Sequence, residues 1–220
     1  MAGGKKRPTS RRYRSELRTQ QAAETRVRIL EAAARQFAVA GYAGTSLAEI
    51  ASAAGVSVET VKLGGPKRQL LMAAFEHSFA GSEGIRSLAE HDPVAEITAD
   101  TDNTRYLASI VHFVAESNKR SSLLWSTLLS AASSDTTLAS ELAELQARRH
   151  RDMLILIDEL RDRQLVSATS SRERLADAIS FLLSPEGYNQ LVRNAQWSQA
   201  DYEAWLVRSI PLLSDNTAKT

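Results

Sequence analysis

Residues 45–70, TSLAEIASAAGVSVETVKLGGPKRQL, hold two short helical patterns that meet at a glycine turn. Ser46 and Glu49 have capping-box spacing, in which the hydroxyl takes the backbone N–H three residues on and the carboxylate reaches back. A helix is therefore expected from Leu47, with Leu47, Ile50, Ala51 and Ala54 on one face and Gly55 free to adopt the left-handed conformation that ends it. Ser57 caps a second helix, residues 58–63, in which Val61 faces inward beside Val56. Val58, Glu59, Thr60 and Lys62 are left to point outward, and such a face can enter a major groove. Helix, glycine turn, helix is also common architecture in all-helical proteins, so the flanks must decide.

Upstream, residues 25–40 read as a support helix with the apolar stripe Val27, Leu30, Ala33, Ala34 and Phe37. Gly41 ends it, and Tyr42 can pack beneath the turn. Downstream, Pro66 suits the first turn of a further helix. Lys67 and Arg68 then sit where the helix dipole disfavours cations, which makes sense if a polyanion is bound. Residues 1–22 carry Lys5, Lys6, Arg7, Arg11, Arg12, Arg14 and Arg18 against Glu16 alone. This arm is expected to lack regular structure by itself. It serves either as a solubilising tail or, with Arg11, Arg12 and Arg14, as an arm along phosphates or in the minor groove.

At this point the chain resembles the tetracycline-repressor (TetR) family of bacterial transcription regulators. The likeness runs through RVRILEAAARQFAVAGYAGTSLAEIASAAGVSVETVK and PKRQLLMAAF, and returns in LLSPEGYNQLVRNAQWSQADYEAWL. It implies that Val58, Glu59, Thr60 and Leu63 read bases, Glu59 accepting from a cytosine amino group and Val58 or Thr60 packing on a thymine methyl. Lys62, Lys67, Thr45, Ser46 and Ser57 would hold phosphates. The chain departs from the family pattern by having Lys62 in place of a Tyr, Gly65 in place of an aromatic, and one residue fewer before Lys67. The recognition helix should thus end early, at Gly64-Gly65, with Lys62 supplying the phosphate contact as a point charge.

Charge is divided along the chain. Residues 1–70 hold 13 Lys+Arg against 5 Asp+Glu, and residues 71–220 hold 14 against 21, which makes one part +8 and the other −7. A basic part followed by an acidic one would orient the protein on a nucleic-acid backbone. The sequence contains no Cys, so disulfide and thiol chemistry are excluded. No apolar run nears the roughly 18 residues of a membrane span, and Arg11-Arg12 has no hydrophobic segment after it to make an export signal. A cytoplasmic protein without membrane attachment is expected.

The fold expected is all-α, with a helix-turn-helix DNA-binding domain at residues 23–70, a larger effector-binding and dimerisation domain at 71–213, and a polar tail at 214–220. The acidic stretch 82–103 reads as a linker with a short helix. Under the family architecture, helices 105–118, 121–133, 135–165 and 172–183 enclose a cavity walled by Tyr106, Phe113, Trp125, Met153 and Phe181. His112 and Arg149 are its polar contacts, and an apolar or aromatic small-molecule effector is implied, a carboxylate on it giving Arg149 a role. The same residues at helical spacing also suit any packed helical core. Segments 172–193 and 199–210 resemble the family's dimerising pair, with Ile179, Leu182, Leu191, Trp205 and Leu206 at the interface. Two-fold symmetry in turn implies a palindromic operator in double-stranded DNA.

Enzyme signatures are missing. Gly64-Gly65-Pro66-Lys67 lacks phosphate-loop spacing, and no G-x-S-x-G elbow occurs. His77, His91, His112 and His150 are scattered without metal-ligand spacing, so neither metal nor cofactor is expected. The functional expectation is a DNA-binding regulator, a repressor released by its effector. The alternative is a helical scaffold whose helix-turn-helix is only architectural.

Overall fold

The computed structural model describes residues 9–84 and 87–213, and among them every regular element is helical. Helix α1 spans Thr9–Gly44 and breaks at Gly41, whose φ of 70° and ψ of −178° only glycine adopts without strain. The expected unstructured arm is thus helical from Thr9 onward. Residues 17–24 supply good helix formers and an i,i+4 bond in which Gln20 donates to Glu24 at 3.0 Å, which favours that continuation. Residues 1–8 of the arm and the tail 214–220 lie outside the described residues. The buried stripe of α1 is Ile29, Leu30, Ala32, Ala33 and Phe37, while Val27 remains 39% exposed. The buried face is therefore turned from the stripe read in the sequence.

Three short helices follow: α2 (Leu47–Ala54), α3 (Val58–Leu63) and α4 (Lys67–Ala80). Both halves of the Ser46–Glu49 capping box form, and Gly55 ends α2 in the left-handed region at φ 66°. Beyond a single 3-10 turn at Leu88–Glu90 come α5 (Asp92–Thr98), α6 (Asn103–Ala132), α7 (Thr136–Asp162) and α8 (Arg172–Leu182). A four-residue α9 (Pro185–Tyr188) passes into a π-helical turn at Asn189–Asn194, and α10 (Gln199–Leu212) closes the described chain.

Helix α6 is one continuous helix where the sequence suggested two, 105–118 and 121–133. The polar run that looked like a break is buried: Ser117, Asn118, Ser121 and Ser122 are all fully covered. Their hydrogen bonds explain why. Ser121 Oγ donates to the Ser117 carbonyl at 2.7 Å within the helix. Asn118 Nδ2 donates to the Leu183 carbonyl at 3.1 Å, while Ser122 accepts from Arg193 through its hydroxyl and from Asn189 through its carbonyl. Small side chains let α9 and the π turn approach closely, and the donors of this run are met, while Asn118 Oδ1 and Asn189 Oδ1 stay buried without a partner.

Two buried clusters result. A lower core joins α1–α4 to the second half of α6 and the start of α7 through Phe37, Ile50, Leu71, Phe75, Leu124, Leu128 and Leu138. An upper core joins the first half of α6 and the end of α7 to α8–α10 through Tyr106, Val111, Ile157, Leu175, Ile179, Tyr202 and Leu206. Helices α6 and α7 enter both clusters and so connect them.

Candidate nucleic-acid interface and ligand cavity

Helix α3 is too short to be stable alone, and it is held by what lies beneath it. Val61 is fully buried, and Val56 and Val58 pack partly into the lower core. Ser57 caps its start, accepting from the Thr60 N–H at 3.1 Å while its hydroxyl lies 2.9 Å from the Thr60 hydroxyl. What remains outward is Glu59, Lys62 and Leu63, the last 89% exposed. Lys62 Nζ stands 3.6 Å from Glu59, an exposed pair that solvent screens and that leaves the ammonium free to exchange partners. Val58 and Thr60 are only half-exposed, so the outward reading face is narrower than the sequence suggested.

Two residues expected to hold phosphates are turned inward. Thr45 is 2% exposed, and its hydroxyl donates to the Gly41 carbonyl at 2.8 Å. Lys67 donates to the carbonyls of Tyr42 at 2.8 Å and Thr45 at 3.0 Å, with its ammonium 4.4 Å above the Tyr42 ring. These are carbonyls left over where α1 ends, and a cation suits that end of a helix dipole. The cation at the start of α4 therefore has a reason within the protein, and no bound polyanion is needed to explain it. Arg68 likewise faces Glu141 at 3.4 Å. Ser46 is occupied by its capping box, its hydroxyl donating to Glu49 at 2.8 Å. Arg11, Arg12 and Arg14 lie on the first turns of α1, and their side chains are outside the described residues.

Arg26 was not singled out in the sequence, yet it packs against Gly64, the first of the two glycines after α3. Its guanidinium donates to both carboxylate oxygens of Glu83, at 2.8 and 2.7 Å, and to the Gly64 carbonyl at 3.3 Å. A Cβ built on Gly64 would stand 2.5 Å from its terminal nitrogen, and Gly65 has φ of 105°. The Arg26 side chain thus lies against the glycine that follows α3. The signal in the sequence was the pair of adjacent glycines, which marks a close approach without saying whose.

Two adjoining cavities run between α6 and α7. The first, about 90 Å³, has Phe75, Trp125, Arg149 and Met153 among its walls; the second, about 310 Å³, has Tyr106, Phe113 and Met153. Tyr106 is buried under the Arg163 guanidinium, 3.8 Å from its ring, and burial pushes its hydroxyl up to about 12, with Glu159 adding to the rise and Arg163 opposing it. Trp125 is 2% exposed and packs on Phe75 at 5.4 Å, so it is at once lower core and cavity wall.

Two expected cavity residues are elsewhere. Phe181 is 69% exposed, because α8 turns Leu175, Ala176 and Ile179 inward and a residue two beyond Ile179 points away. His112 is exposed too; its Nδ1 lies 3.1 Å from both carboxylate oxygens of Glu203 on α10. The interface set divides similarly. Ile179 and Leu206 are fully buried within one chain and cannot meet a second, whereas Leu182, Leu191 and Trp205 are partly open. Phe181, Trp197 at 37% and Leu212 at 65% are the exposed apolar side chains of α8, the turn before α10, and α10.

Among the described residues no group of side chains could hold a metal ion, and no helix is long and apolar enough to cross a membrane. Residues 29–61, which span the buried half of α1 through the core of α3, match the family model described as bacterial regulatory proteins, tetR family. No curated protein matches the chain. Among solved structures, a candidate TetR-family transcriptional regulator from Rhodococcus sp. is similar at TM-score 0.68 and 21% identity, covering 88% of this chain and 100% of that one. The fatty acid degradation regulator FadR from Bacillus halodurans is similar at 0.66 and 18%, covering 84% and 96%. A further candidate TetR-family regulator, from Mesorhizobium loti, is similar at 0.64 and 18%, covering 87% and 97%. At these identities the likeness establishes a shared fold over nearly the whole chain.

Proposed function

We propose, from the premise that its helix-turn-helix is of the tetR family of bacterial regulatory proteins, that this chain is a homodimeric transcriptional regulator of duplex DNA, a repressor released by a small-molecule effector. The observation that carries this reading is α3: six residues held from below by Val61, with Glu59, Lys62 and the 89% exposed Leu63 presented outward. Lys62 binds phosphate, and Glu59 and Leu63 face base edges. The effector occupies the cavities between α6 and α7. Phe181, Trp205 and Leu212 form part of the dimer face. Residues 23–70 act as the DNA-binding unit and residues 71–213 as the effector and dimer unit.

A scaffold reading gains one observation, since Lys67 and Arg68 are both engaged inside the protein. Selection of the full chain's binding sites from random duplex separates the two. A regulator enriches two inverted half-sites about one helical turn, ~34 Å, or a multiple apart. A scaffold enriches nothing. Sedimentation at micromolar concentration should give a dimer; a species of 24.1 kDa would overturn the two-fold arrangement.

A further inference from the structure

The smaller cavity contains two polar groups that its apolar walls do not explain. Four charged side chains line it: Glu76, Arg148, Arg149 and Asp152. Three are answered within the protein. Arg148 donates to Glu76 at 2.5 Å, and Asp152 accepts from Ser87 Oγ at 2.6 Å and from the Leu88 N–H at 3.3 Å. Arg149 is different. Among the described residues no carboxylate lies within ion-pair distance of it, and its one hydrogen bond goes to the Ser180 carbonyl at 2.6 Å, near the end of α8. That contact suits a helix C-terminus but uses one donor of the guanidinium's five. Burial also lowers its pKa, with Glu186 opposing, which marks a cation short of solvation.

Trp125 provides a second, independent observation. Its indole N–H is buried with no acceptor, on a side chain 2% exposed that lines the same cavity. A buried donor left unmet is uncommon and costs stability until something accepts from it. An acceptor carrying negative charge would answer both groups at once. The larger cavity shares Leu88, Val114, Asp152 and Met153 with the smaller and continues past Tyr106 and Ile110 toward Thr98, so space for an apolar body adjoins the polar end.

We propose that the paired cavities take an apolar monocarboxylate, its carboxylate on Arg149 and the Trp125 indole N–H and its hydrocarbon body running past Met153 into the larger cavity. This rests on the reading of the chain as an effector-responsive regulator and names the chemical class of the effector.

The test is calorimetric titration of the full chain with sodium decanoate, decan-1-ol and decyltrimethylammonium below their micellar concentrations. Decanoate should bind at least about tenfold more tightly than decanol, the scale of a charged hydrogen bond, and the ammonium should not bind. Shortening to octanoate and hexanoate should weaken binding about fourfold per methylene. Arg149→Gln should abolish the preference for acid over alcohol. If that variant fails to fold because α8 loses its cap, Trp125→Phe decides with decanol as the packing control, since it removes the N–H together with part of the ring; it should weaken decanoate about threefold to tenfold more than it weakens decanol. Equal affinity for acid and alcohol, absence of decanoate binding, or a Trp125→Phe loss no greater for decanoate than for decanol would overturn the proposal. Repeating the titration with selected operator DNA separates it from the reading beneath it. Decanoate that binds without shifting DNA affinity keeps the ligand class and overturns the effector role, whereas release of DNA by another ligand while decanoate stays inert overturns the class alone.

Discussion

The lower and upper cores are built from the same two long helices but are held together differently. In the lower core, α1–α4 meet the end of α6 through apolar side chains, with local caps at Ser46 and Ser57 and long-range polar contacts from cations at its edge, Lys67 and Arg26. In the upper region a buried polar seam joins distant segments: Asn118 to Leu183, Asn189 to Ser122, Tyr202 to Leu182. The smaller cavity lies where the two regions meet, and the larger continues from it into the upper one. On the proposed reading, a ligand held there acts by binding one arrangement of the shared helices better than another.

That contrast can be broken most forcefully at Trp125, which is lower core and also walls the smaller cavity. Trp125→Ala should cost about 3 to 5 kcal/mol and also remove the response to ligand, read by urea denaturation and by DNA release. A variant of wild-type stability would show that the lower core does not extend to this ring. Asn118→Ala tests the polar seam. It leaves the buried Leu183 carbonyl without its donor and should cost about 1 to 3 kcal/mol. Full stability would mean that the seam is incidental. Ser46→Ala tests a local cap and should cost about 1 kcal/mol, with the amides of α2 exchanging faster while those of α8 do not change.

The smallest effect lies at Arg26 and Glu83. The hydrogen bond from Arg26 holds the Glu83 carboxyl below the usual carboxylate range, against the opposing effect of burial. A depressed carboxyl stabilises the fold above its unfolded-state value of about 4.3 and loses that contribution as pH falls through the lower folded value. The pair is more than a third exposed at Glu83, so solvent screening limits it to under about 1 kcal/mol. Glu83→Gln should therefore be slightly less stable than wild type at pH 7, with the difference closing at acid pH. A difference that persists at acid pH would mean that the glutamate acts through packing.

The same contrast explains what was legible in the sequence. Ser46, Glu49, Gly55 and Ser57 declare α2 and α3 because each acts on backbone within a few residues. The unbroken α6 was hidden, since Lys119-Arg120 reads as a gap between helices 105–118 and 121–133 until the partners of Asn118 and Ser122, Leu183 and the π turn, are known. Lys67 was misread because its partners lie 22 and 25 residues away. Ile179 and Phe181 exchanged expected roles for a similar reason: periodicity finds the apolar residues of α8, but only packing tells which of them faces inward.

The central claim, that α3 reads duplex DNA, is tested most directly by the salt dependence of operator affinity for wild type and Lys62→Ala, followed by fluorescence anisotropy between about 50 and 200 mM salt. The account predicts a linear fall of log affinity with log salt. Lys62→Ala should weaken all sequences alike and reduce the slope by about one unit. An affinity indifferent to salt, or a Lys62→Ala loss confined to particular operator bases, would contradict it.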